Sequence, residues 1–348
     1  MPNYINANEP GLFDLEERLE ELHALGDPLR RLDDVMDWAV FEPVLTQLPK
    51  AEPKGPGGRP GFRPLMMFKV LVIAQLYNLS DEQMEFQITD RHSFKRFLGL
   101  SCADSAPDQK TIWAFREQLT RLGLLDQAFA AFRDALARGG VLARQGQIID
   151  ATFVEVPRQR NSRPENAQIK TGATPDDWAK HPAKARQKDV DARWAKEGEA
   201  RHYGYKNHVK ADAESKLIET FTVTDAAVHD SNALETLLTV GDPTTYVDSA
   251  YAGPRCEAVF QRHGVEAKVI ERAHRNRPLT PAQRRRNRAK SRVRARVEHV
   301  FGAMTMSLRA SWNRCVGKVR NAGAVAMMNL VYNLVRFEQI QRLHLRTW

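Results

Sequence analysis

Gln147-Ile148-Ile149-Asp150-Ala151-Thr152-Phe153-Val154-Glu155-Val156, closed by Pro157, is the stretch on which the fold turns. Its β-branched and aromatic residues form a compact apolar run with a breaker behind it, which predicts a strand. Before it the chain reads as helix after helix. After it the periodicity alternates, so the chain divides near residue 141 into an all-α part and an α+β part.

Upstream, Leu15, Leu19, Leu22 and Leu25 recur at helical steps until Gly26, and a second helical patch lies between about residues 28 and 48. Residues 49–64 hold Pro49, Pro53, Pro56, Pro60 and Pro64 with Gly55, Gly57, Gly58 and Gly61, which reads as a linker after an N-terminal segment 1–48. Helices are predicted over 65–77, 81–88, 92–98, 109–122 and 125–138, a domain of residues 65–140. Asp108 is a candidate cap for the fourth. The polar face of that helix carries Gln109, Lys110, Thr111, Trp113 and Arg116. It suits a recognition helix in a DNA groove, and equally a solvated face of a structural bundle.

Downstream, a polar basic stretch at 158–201 interrupts the domain that runs from 141 to 348. Strands are predicted over 203–211 and 216–223, joined through Asp212-Ala213-Glu214-Ser215. A helix over 230–240, strands over 244–248 and 265–271, and long helices over 281–312 and 319–343 follow. Three strands, helix, strand, helix, strand, helix is the order of a ribonuclease-H-like mixed sheet.

The 348 residues carry 52 Lys and Arg against 43 Asp and Glu, a net charge of +9, which favours a polyanionic partner. Cys102, Cys256 and Cys315 lie far apart with no metal-binding spacing, which speaks against a disulfide framework or a zinc site. The apolar run 65–79 contains Lys69, Gln75 and Asn78 and falls short of a bilayer span. No signal peptide fits the N-terminus, so a cytoplasmic protein is expected.

Asp is disfavoured in strands, yet Asp150 sits inside one and Asp248 ends another. Alone, each reads as a turn former or a hydrogen-bonded core group. Glu298 lies on the first of the two long closing helices, at the border of an apolar stripe of Val293, Val297, Val300, Phe301, Met304 and Leu308, and alone it reads as the partner of Arg294 one turn earlier. Together, two strand-borne Asp and a helix-borne Glu suit a pair of hard divalent ions, about 4 Å apart, that clamp the oxygens of an in-line phosphoryl transfer. The expected cofactor is two Mg²⁺ per site, with Mn²⁺ able to substitute.

In that order and setting, Asp150, Asp248 and Glu298 resemble the DDE transposases, most closely the insertion-sequence-five group of bacteria. The resemblance rests on five stretches in register: 187–194 (Gln-Lys-Asp-Val-Asp-Ala-Arg-Trp), 203–209 (Tyr-Gly-Tyr-Lys-Asn-His-Val), 223–231 (Val-Thr-Asp-Ala-Ala-Val-His-Asp-Ser), 247–251 (Val-Asp-Ser-Ala-Tyr) and 287–302 around Glu298. It implies that Arg294 assists the site and that the protein cuts the ends of its own element and joins them to target DNA. Further implications are a homodimer or larger synaptic complex and a place at the bacterial nucleoid. Ser291 and Thr305 stand where the wider family has Tyr and Lys, and Arg309 is a candidate to replace the Lys.

Between residues 284 and 296 eight of thirteen residues are Lys or Arg. Arg288, Lys290, Arg292 and Arg296, with His299, are therefore expected on DNA backbone, as are Lys206 and His208, with Lys110 and Arg116 in the helical region. Two other readings are a metal-dependent nuclease that does not join, and a non-catalytic DNA-binding regulator.

Overall fold

The computed structural model describes residues 11, 13–49, 61–142, 145–275, 277–308 and 312–344. Most of the linker and Arg309 lie outside them.

The helical region comprises α1 (Asp14–Ala24), α2 (Pro28–Val35), α3 (Glu42–Leu45), α4 (Pro64–Tyr77), α5 (Asp81–Asp90), α6 (His92–Leu98), α7 (Gln109–Arg121) and α8 (Leu124–Arg138). Local chemistry sets several boundaries. Asp27 caps α2 through the Leu29 amide, and Asp108 accepts from the Thr111 amide at the head of α7, as its position predicts. Ser80 and Gln83 form a reciprocal capping box on α5. α4 is buried nearly all round, so it is the central helix, whereas α1 buries no residue. Of the α7 face, Lys110 and Trp113 are exposed. Arg116 is instead held by Asp81, which ties α7 to α5.

The sheet begins at β1 (Gln147–Glu155). The polar stretch after it is more ordered than its composition suggests. It folds into α9 (Arg163–Lys170), α10 (Asp176–Ala179), α11 (Pro182–Ala185) and β2 (Arg193–Glu197). Trp178 is fully buried and donates to Glu165, so it anchors this segment internally, while Trp194 stays half exposed beneath Arg158.

β3 (Ala200–Asp212) and β4 (Ile218–Asp225) follow, then a 3₁₀ turn at Asp230–Ala233, α12 (Leu234–Leu237), β5 (Thr245–Val247), a 3₁₀ turn at Ser249–Tyr251, α13 (Pro254–His263), β6 (Ala267–Val269), α14 (Pro281–Met306) and α15 (Lys318–Arg342). The helix expected over 230–240 is thus a 3₁₀ turn followed by a single α turn, and it ends at Leu237.

The strand order is β2-β3-β1-β5-β6, with β4 also on β3. β1 and β3 are antiparallel; β1, β5 and β6 are parallel. The path β4-β3-β1-β5-β6 is the ribonuclease-H-like arrangement, so the α+β expectation holds. β3 is long enough for its outer edge to pair with β2 along one half and β4 along the other. Gly204 is required where β3 crosses β1: its φ is +148°, and a Cβ there would meet the Val154 carbonyl at 2.3 Å.

One apolar cluster covers a whole sheet face, joining Ile148, Val209 and Ile218 to α14, α15 and the cores of α2 to α8. α15 is its centre. Its Asn329 exchanges amide hydrogen bonds with Asn207 of β3, and its Asn333 both donates to the Ile218 carbonyl and accepts from the Ile218 amide. These buried amides are fully paired, so they fix the register of α15 on the sheet.

The N-terminus of α15 is fixed by Asp189. That buried carboxylate accepts from the Tyr205 hydroxyl and the amides of Asp191, Ala192 and Gly317, and Asp191 accepts from the Lys318 amide.

Arg320 of α15 grips Glu117 of α7 through two hydrogen bonds of 2.7 Å. Arg320's hydrogen bonds hold the Glu117 carboxyl below the usual range, against an opposing push from burial. A depressed carboxyl stabilises the fold above its unfolded value and loses that contribution as pH falls through the folded value. With the guanidinium partly exposed, Glu117→Gln is expected to cost about 1 kcal/mol at pH 7. In urea titrations across pH the two proteins should converge below the Glu117 titration; a constant difference would show that the charge contributes nothing.

A candidate active site where one strand ends beside another

The β1–β5 register pairs Gln147 with Thr245 and Ile148 with Tyr246. Two residues further along, the same offset sets Asp150 beside Asp248, which immediately follows β5. Adjacent residues of each strand face opposite ways. Ile149 and Val247 enter a second apolar cluster with Leu234, Val259 and Phe260, while Ile148 lies in the main core. The sheet thus brings its two Asp side by side on the α14 face, where β5 gives out beside the middle of β1.

Asp248 caps the 3₁₀ turn after β5, its Oδ1 accepting from the Ala250 amide at 2.8 Å. Asp150 accepts from the Ala151 amide at 3.0 Å and from Arg294. Burial pushes the Asp150 carboxyl above its ordinary value; Arg294 opposes that shift and Asp248 adds to it.

Arg294 arrives there because α14 is pinned on both sides. Val297, Val300 and Met304 are buried in the core. Asn287 exchanges hydrogen bonds with the Glu271 backbone, and Lys290 donates to the Val269 carbonyl at the end of β6. Asn287, Lys290, Arg294 and Glu298 recur at three- and four-residue steps, so they share one helix face. Glu298 lies one turn beyond Arg294 and is exposed.

The structure therefore brings together Asp150, Asp248 and Arg294. Among the described residues no three His, Cys, Asp or Glu side chains are placed to hold one metal ion. The donor chemistry still fits a hard divalent cation: two carboxylates lie side by side, and Arg294 is the cation already paired with one of them.

The other expected contacts divide. Arg288, Arg292 and His299 lie on the exposed side of α14. Lys290 faces the sheet, and Arg296 is held by the Ala213 carbonyl and Glu214. Lys206 donates to the Val228 carbonyl and to Asp230 and lies over the Phe153 ring. His208 is fully buried, its Nε2 2.8 Å from Thr224 Oγ1, and burial pushes its pKa down to about 4. A side chain with no exposed surface has none to offer DNA in this arrangement.

Two residues near the carboxylates escaped the sequence reading. Asp230 heads the 3₁₀ turn before α12, and Tyr251 ends the one after β5. Both lie inside stretches that carried the resemblance, 223–231 and 247–251, which was the available signal.

No solved structure matches the chain. A family described as Transposase domain (DUF772) matches residues 16–118. The family described as Transposase DDE domain matches residues 142–334, more than half of the chain, from just before β1 into α15. The chain belongs to the transposase DDE domain family.

Proposed function

We propose that this transposase binds the ends of its own element, cuts them in a metal-dependent reaction, and joins the freed 3′ hydroxyl to target DNA. The register that sets Asp150 beside Asp248 is the observation that carries the reading. Likeness to the insertion-sequence-five group belongs to the same proposal.

Asp150 and Asp248 would hold Mg²⁺ or Mn²⁺, and Glu298 would complete the set from α14. A bound pair of such ions supplies charge stabilisation to the attacking and leaving oxygens. Arg294 holds the Asp150 carboxylate in orientation and offsets the repulsion between two ionised Asp. Two ends must be cut and joined in one event, so a homodimer or larger assembly is the working form.

The test is incubation with Mg²⁺ and DNA that carries the element's terminal inverted repeats. Cleaved ends and joined products support the reading. Cleavage without joining indicates a nuclease, and binding without either indicates a regulator.

The exposed side of α14 would carry DNA backbone contact. Arg284, Arg285, Arg288 and Arg292 are exposed, with no carboxylate partner among the described residues. In salt titrations of end binding, Arg288→Ala and Arg292→Ala should each flatten the logarithmic slope by about 0.9, one phosphate contact apiece. Arg296→Ala should leave the slope unchanged, because its guanidinium is already engaged by Glu214 and the Ala213 carbonyl. Wild-type slopes in Arg288→Ala and Arg292→Ala would remove this helix from the DNA interface.

A further inference from the structure

The Tyr251 hydroxyl is buried and has no hydrogen-bond partner among the described residues. The whole residue is 1% exposed. Its ring packs in the second apolar cluster, which explains the ring but not the oxygen. A buried polar atom left unpaired in a native fold calls for a functional account.

Its surroundings supply one. The turn that ends in Tyr251 starts from Asp248, and the Tyr251 amide donates to the Asp248 carbonyl. The turn headed by Asp230 packs against it. The carboxylates of Asp230, Asp150 and Asp248 all lie within electrostatic reach of the hydroxyl, and a phenol hydroxyl is a donor.

Nearby acceptors are only partly engaged. Asp248 uses Oδ1 for the Ala250 amide, and Asp230 uses Oδ1 for Lys206. The Arg294 Nε is a second buried donor without a partner among the described residues. Two such donors beside two adjacent carboxylates leave hydrogen bonds open at the pair.

We infer that Tyr251 is a positioning residue for divalent-cation binding, its hydroxyl donating to the Asp150 and Asp248 carboxylate pair when that pair holds the ion. The inference rests on the metal-dependent reading of those two Asp. Groups that hydrogen-bond a metal's carboxylate ligands orient them, and losing one typically weakens metal affinity about 10–100-fold.

The test is Mn²⁺ binding to the full chain without DNA, measured by electron paramagnetic resonance, together with thermal unfolding in chelator. Tyr251→Phe keeps the packed ring and removes only the hydroxyl. It should raise the Mn²⁺ Kd about 10-fold, while the midpoint in chelator is unchanged or higher because an unpaired buried group is gone. An unchanged Kd overturns the inference, as does a weaker Kd accompanied by a lower midpoint, which would mark a purely structural role. Asp150→Asn separates the two levels of argument. If wild-type Mn²⁺ binding survives that change, the carboxylate-pair reading fails and the inference with it. If binding is lost in Asp150→Asn but normal in Tyr251→Phe, only the inference fails.

Discussion

Asp150→Asn and Asp248→Asn should each reduce end cleavage and strand transfer by roughly 10³-fold or more, since a misplaced cation forfeits several kcal/mol of transition-state stabilisation. End binding should persist or tighten, because each change removes a negative charge beside the proposed DNA path. Stability should change little: Asp150→Asn deprives Arg294 of its acid but also relieves the repulsion between the two Asp. The decisive arm is Glu298→Gln. If it matches the other two in a cleavage assay with Mg²⁺, the exposed Glu298 of α14 joins the pair during the reaction. If it cleaves normally, the third carboxylate lies elsewhere, and Asp230, whose turn packs against the one that Asp248 caps, is then the acid to test.

Asp189→Ala is the change expected to do most harm to the fold. It leaves the Tyr205 hydroxyl and the amides of Asp191, Ala192 and Gly317 without their common acceptor and uncaps α15. Buried donors of this kind cost about 1–3 kcal/mol each when stranded, and they do not add fully. A total near 3–4 kcal/mol would lower Tm by about 5 °C in a chain of this size. Calorimetry should show one transition shifted as a whole, since α15 is common to the bundle and the sheet. Two separated transitions, only one of them displaced, would contradict that coupling.

Much of this was legible from residue pattern alone. The β1 run, the parallel strand ending in Asp248 and the long α14 announce themselves through composition and period, and Asp in a strand marks a site because local propensity opposes it. What stayed hidden was decided by tertiary partners. β2 lies in a polar stretch with no strand period and exists because half of the β3 edge is free to pair. Asn207, Asn329 and Asn333 look like surface residues until their mutual hydrogen bonds are seen. The charge run of α14 could not be divided by sequence into cations that stay exposed and cations that face Glu271 or Glu214, since that depends on how the helix is rotated against β6. Tyr251 read as an ordinary core aromatic because burial of its ring and idleness of its hydroxyl are separate facts, and only coordinates give the second.

Because α15 fills the centre of a core that α2 to α8 share, the early helices cannot complete their packing when they leave the ribosome. At roughly 5–20 residues per second, the interval between synthesis of α8 and of α15 is about 10–40 s. Throughout it, apolar faces of α4 and α8 await their partner, so nascent chains are exposed to chaperones and to self-association. A ribosome that stops before Lys318 releases a product with neither half finished, and the amount of working transposase in a cell is thereby tied to how faithfully translation reaches α15.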